Sequence, residues 1–235
     1  MSAVASGPAA GRRSAPQTRL QRMLTSSIGL KISMALTGVI LSGFVLVHML
    51  GNLQIYQGAE AIDAYGKLLR KEPAILWLFR FVLLGAVGVH IWAYLALSRK
   101  NQQARPVAYQ ARHYKESSFA SRSMTITGPL VLAFIIFHIL HFTTGTVHPD
   151  FHEGAVYHNV VLGLKGFVGV IYIAAMIMLA FHLWHGVWSL FQTLGAPEER
   201  YGSLGRRFAT IFSILVTVGF ATVPLAVLAG FLKLP

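Results

Sequence analysis

Five apolar runs, at residues 28–53, 73–98, 124–147, 160–191 and 208–232, take up most of this chain. Each is long enough to cross roughly 30 Å of hydrocarbon at about 1.5 Å per helical residue. Hydrocarbon offers no partner to a backbone N–H or C=O, so segments of this length satisfy their own backbone as helices. The expected class is therefore all-α: an integral membrane bundle of five transmembrane helices. The composition agrees, at 54% hydrophobic and 12% charged residues, with a mean hydropathy of +0.58. It does not describe a soluble domain.

The connections assign direction. Residues 1–22 are small, polar and basic and lack the long apolar centre of a cleavable signal. They read as a disordered cytoplasmic tail, residues 1–25, ahead of a five-helix domain at residues 26–235. The stretch 51–71 mixes charges and carries Ala59, Ile62, Leu68 and Leu69 at helical spacings, the pattern of a short amphipathic helix on the membrane surface. Pro73 can open the second span, where its missing N–H costs no helical bond. The fourth run is long enough to tilt or to project beyond the bilayer. Of the 20 lysines and arginines, 14 fall in the tail (with Lys31) and in the second and fourth connections. The positive-inside rule then places the N-terminus in the cytoplasm and the C-terminus outside. This topology accounts for the net charge of +12, so no nucleic-acid partner is expected. The chain has no cysteine, which removes disulfides, iron–sulfur ligation, zinc–thiolate sites and c-type haem attachment.

Histidines occur inside four of the five runs, where an imidazole needs a partner to offset its desolvation. Counting about 1.5 Å per residue from the cytoplasmic ends, His48 lies about 24 Å in and His138 about 21 Å, whereas His90 lies about 12 Å and His182 about 13 Å in. The alternating direction of the spans thus sorts four histidines into an outer pair, His48 with His138, and an inner pair, His90 with His182. An imidazole pair leaves most of a zinc or copper coordination sphere empty, whereas haem iron has four porphyrin nitrogens and needs two axial ligands. Two haem b groups fit the ligand count. Gly38, Gly43, Gly85, Ala86, Gly88, Gly166 and Gly169 would admit a flat macrocycle, although small residues also serve ordinary helix packing in membranes.

Other polar residues have plainer readings. His141 and His185 each follow a candidate ligand by three residues, about 60° round the helix, and depth does not separate them from their neighbours. As non-ligands they would hydrogen-bond a propionate, a carbonyl or a quinone. His113, His148, His152 and His158 read as solvated loop residues. Lys165 would snorkel to the interface, and the deeper Arg80 is a candidate to neutralise an outer haem propionate.

Four segments carry a resemblance: Val47-His48-Met49-Leu50-Gly51-Asn52-Leu53-Gln54, Gly88-Val89-His90-Ile91-Trp92-Ala93-Tyr94, Phe137-His138-Ile139 and Phe181-His182-Leu183-Trp184-His185-Gly186-Val187-Trp188-Ser189. In order on five helices, they resemble the haem-binding segments of the di-haem cytochrome b subunit of succinate dehydrogenases and fumarate reductases. The resemblance implies a subunit of the bacterial cytoplasmic membrane that anchors a flavoprotein and an iron–sulfur subunit at the cytoplasmic face. It would carry electrons between the iron–sulfur subunit and a membrane quinone, with dicarboxylate chemistry left to those partners. It implies that His48 and His138 hold the outer haem iron and His90 and His182 the inner one, favouring His138 and His182 over His141 and His185. It further implies menaquinone as the quinone. An acid just beyond the first span would handle quinone protons, with Glu60 the first candidate and Asp63 the second.

Two other readings compete. A cytochrome b of a membrane hydrogenase or formate dehydrogenase would also use histidine pairs, but fits the five-span order and the His182–Gly186 segment poorly. A histidine-lined transporter would require carboxylates within the spans, and all eight acidic residues map to connections.

Overall fold

The structure, a computed structural model, describes residues 18–104, 119–195 and 198–234. Those residues form helices and turns with no strand among them: α1 (Arg19–Thr25), α2 (Ser27–Asn52), α3 (Ala59–Arg70), α4 (Pro73–Gln103), α5 (Phe119–His138), α6 (Val156–Gly163), α7 (Phe167–Thr193) and α8 (Glu198–Leu228). Five helical segments are long and apolar enough to cross a membrane: Ser27–Gln57, Pro73–Gln103, Arg122–Thr143, Phe167–Thr193 and Gly202–Leu228. None contains an aspartate or glutamate. Residues 1–17 of the expected tail lie outside the described residues, as does His113.

Local chemistry sets the helix limits. The Thr18 hydroxyl accepts from the Gln21 N–H while the Gln21 side chain accepts from the Thr18 N–H, a capping box that starts α1 inside the stretch expected to be tail. Ser26, in extended conformation, ends α1 and caps α2 by accepting from the Gly29 N–H at 2.9 Å. A 3₁₀ turn, Leu53–Gln57, leads from α2 toward the amphipathic α3. Pro73 occupies the first turn of α4. After His138, α5 continues as a π turn, Ile139–Thr143, a local widening that often accompanies functional sites.

The fourth apolar run is not one helix. It breaks at Leu164–Gly166 into α6 and α7, with Gly166 at φ 60° and ψ −137°, a conformation that residues bearing a Cβ adopt only under strain. The expectation of a single long span is corrected accordingly: α6 is a separate short helix, and only α7 is of spanning length. Hydropathy cannot see this break, because both pieces are apolar.

In the bundle, α2 packs against α4, α7 and α8, while α7 also packs against α5 and α8. At one end, α3 and α6 pack together, and Ile55, Ile62, Val160, Val161, Leu164, Tyr172 and Val223 form a shared core. Leu36, Ile126 and Ile214 project outward from the spans, as expected where the surrounding solvent is lipid.

Candidate functional site

Between the spans runs a cavity of ≈ 3500 Å³ whose walls include His48 from α2, His90 from α4, His138 from α5 and both His182 and His185 from α7. The four predicted histidines meet in two pairs. The rings of His48 and His138 have centroids 5.9 Å apart and planes at 80°. Those of His90 and His182 have centroids 6.3 Å apart and planes at 54°.

Hydrogen bonds decide which ring nitrogen is available. The Thr37 hydroxyl lies within hydrogen-bond distance of the carbonyl oxygens of Ser33 (2.8 Å) and Met34 (3.1 Å) and of His90 Nδ1 (3.1 Å). With its hydrogen given to a carbonyl, the hydroxyl would accept from a proton on His90 Nδ1, leaving Nε2 with a free lone pair. On α7, the Tyr172 hydroxyl lies 3.3 Å from His138 Nδ1 and 2.9 Å from His141 Nδ1. A protonated His138 Nδ1 would donate to the phenol oxygen, whose own hydrogen then goes to His141, again freeing an Nε2 on His138. His48 stacks on Phe44 at 5.3 Å, and Asn52 Nδ2 donates to the His48 carbonyl at 2.7 Å. His182 Nδ1 is one of two buried side-chain polar atoms among the described residues with no hydrogen-bond partner; Thr127 Oγ1 is the other. Such orphaned groups cost about 1–3 kcal/mol each, and they tend to persist where a ring is held for chemistry.

This donor set fits a bis-imidazole haem at each level. Two metal–nitrogen bonds of about 2 Å and two ring radii of about 1 Å place the centroids of axial imidazoles about 6 Å apart, which is the spacing of both pairs. Backbone lies close by at one level: a Cβ on Gly38 would stand 3.7 Å from His90 Cε1, and one on Gly128 4.0 Å from His182 Cε1.

The neighbouring histidines part company. His141 is 1% exposed and is not among the cavity-lining residues. It packs between Phe137 (5.3 Å) and His148 (4.9 Å). His185, by contrast, shares the cavity wall with His182. Arg80 also lines the cavity, with its guanidinium 4.8 Å over the Trp77 ring.

The loop histidines divide as well. His148, expected to be solvated, is buried. Its Nε2 donates to the Asn159 carbonyl (2.8 Å) and its Nδ1 accepts from the Asp150 N–H (3.0 Å), so it organises the loop from within. His152 and His158 are not isolated either: both Nε2 atoms meet the Asp150 carboxylate, at 2.9 and 3.0 Å. The hydrogen bonds from His152 and His158 hold the Asp150 carboxyl below its usual range, so it is ionised at neutral pH.

Glu60 is exposed in the first turn of α3. Asp63 accepts from the Tyr157 N–H at 2.9 Å and so caps the start of α6 from a neighbouring helix. Among the described acids, Glu72 and Glu153 are the two in the cavity wall. Sequence reasoning missed both, along with Thr37 and Tyr172.

The family of the succinate dehydrogenase/fumarate reductase transmembrane subunit matches residues 98–222, just over half of the chain. That range contains His138 and His182; His48 and His90 precede it. Comparisons with curated proteins and with solved structures found no match.

Proposed function

The chain belongs to the succinate dehydrogenase/fumarate reductase transmembrane subunit family, and from that premise we propose that it is the di-haem membrane anchor of a succinate:menaquinone oxidoreductase. Its place is the bacterial cytoplasmic membrane, with the N-terminus inside. A flavoprotein and an iron–sulfur subunit dock on the cytoplasmic face. His48 and His138 hold the outer haem b, and His90 and His182 the inner one. The observation that carries this reading is the meeting of four histidines from four spans in two pairs, at ring distances of 5.9 and 6.3 Å, along one cavity.

Bound haem supplies one-electron relay between the iron–sulfur subunit and the quinone. The chain's own residues do the remaining work. Thr37 engages His90, and Tyr172 engages His138, each at Nδ1, so that Nε2 of each ring would be free to hold a haem iron. The apolar walls keep water from the imidazole pairs. Glu60, with Asp63 second, handles quinone protons at the outer end; Arg80 neutralises a propionate of the outer haem.

A haem-to-chain count on the purified complex, with reduced-minus-oxidised visible spectra, tests the ligation. Wild type should carry two haem b per chain, and alanine at His48, His90, His138 or His182 should lower that number. A complex without haem b bands, or with unchanged haem in all four variants, refutes the proposal. For the proton role, Glu60→Gln should abolish quinone reactivity while both haems stay bound. If Glu72→Gln or Glu153→Gln does so instead, the role passes to the cavity wall.

A further inference from the structure

The loop between the third and fourth spans holds three donors that the haem sites do not use. Asp150, His152 and His158 each turn one ligand atom toward the others, all within 4.8 Å of one another. Both imidazole Nε2 atoms converge on one carboxylate, at 2.9 and 3.0 Å. The ring centroids of His152 and His158 are 4.6 Å apart.

The backbone beneath these donors is fixed from two sides. Asn159, buried on α6, accepts from the His152 N–H at 2.9 Å and donates to the His152 carbonyl at 2.8 Å. Buried His148 accepts from the Asp150 N–H and donates to the Asn159 carbonyl. His158 lies in the first turns of α6 itself. The three donors thus stand on one braced unit, and none depends on another subunit. Their side chains remain reachable, with Asp150 52%, His152 58% and His158 28% exposed.

We propose that Asp150, His152 and His158 form a zinc site with water as the fourth ligand. Two imidazole nitrogens and one carboxylate oxygen suit Zn²⁺, whereas Ca²⁺ and Mg²⁺ prefer all-oxygen shells. Ligands bonded at about 2.1 Å in a tetrahedron stand about 3.4 Å apart; the three ligand atoms lie within 4.8 Å of one another, so they need an adjustment of at most about 1.4 Å to reach that spacing. The exposed His152 ring has room to make it. Phe151, Glu153 and Gly154, within the same loop, line the cavity wall. A metal here therefore stiffens the rim of the cavity at that end.

The test is calorimetric titration of Zn²⁺ into the untagged, EDTA-washed complex in detergent. Wild type should take up one Zn²⁺ per chain more than the His152→Ala/His158→Ala double variant, and each single variant should bind at least about tenfold more weakly. A hundredfold excess of Mg²⁺ should not displace the ion. Asp150 and His152 are exposed and His158 partly so, and an unchanged haem spectrum in the variants verifies that they fold. Equal Zn²⁺ uptake by wild type and the double variant overturns the proposal. Displacement by Mg²⁺ overturns its metal class.

Discussion

Thr37 Oγ1, on α2, and His90 Nδ1, on α4, form a hydrogen bond across 3.1 Å. With the hydroxyl hydrogen given to a carbonyl oxygen one turn back, this contact would select the tautomer that carries its proton on Nδ1. Thr37→Val keeps the side chain's shape and removes the acceptor. A buried donor left unpaired costs about 1–3 kcal/mol, and loss of such a partner typically weakens metal retention about 10–100-fold. The inner haem should be lost or shifted in potential while the outer one is kept. Thr37→Ser should behave as wild type. Potentiometric titration of both haems reads the difference.

Tyr172 plays the matching part for the other pair. Tyr172→Phe takes away the hydroxyl shared by His138 and His141. The outer haem should change its potential and its low-temperature α band, with the inner haem unaffected. If the two haems moved together, the phenol would be acting through the packing of α7 and not through His138.

Gly163, on α6, lies against His141 and His148. A Cβ there would stand 2.7 Å from His148 Nε2 and 2.9 Å from His141 Cε1. Both rings are held by hydrogen bonds, so neither can retreat cheaply. Gly163→Ala should destabilise the protein by about 1–3 kcal/mol, seen as a lower Tm of the detergent-solubilised complex.

Gly166 tests the break between α6 and α7. Its φ of 60° with ψ −137° is strained for any residue with a Cβ, at a cost of about 1–3 kcal/mol. Gly166→Ala should lower Tm by a comparable amount without altering the haem spectrum, since a Cβ there meets nothing within 4 Å.

Much of this was legible before any coordinates. The five spans follow from run length, and the two depth levels of the histidines from helix rise and span direction, whereas the choice of His138 and His182 over His141 and His185 came from the family resemblance. Rise says nothing about rotation round the axis. Thr37 and Tyr172 were therefore invisible as partners of His90 and His138, since each contact depends on which faces of two helices meet. The split of His138 from His141 has the same origin: one ring faces the cavity and the other does not. The α6–α7 break was hidden by continuous hydropathy, with Lys165 and Gly166 its sole local signal. The loop cluster was missed for another reason. Asp150, His152 and His158 are close in sequence, but their convergence rests on side-chain bonds from His148 and Asn159 that no spacing rule encodes.

The Thr37 and Tyr172 contacts also form a crossed lashing. On α2, His48 belongs to one histidine pair and Thr37 braces the other; on α7, His182 belongs to the second pair and Tyr172 braces the first. A slide or twist of either helix thus strains both sites together. Two histidine pairs built this way share one mechanical frame, and whatever tugs on α2 or α7 from outside the bundle is felt at both pairs simultaneously.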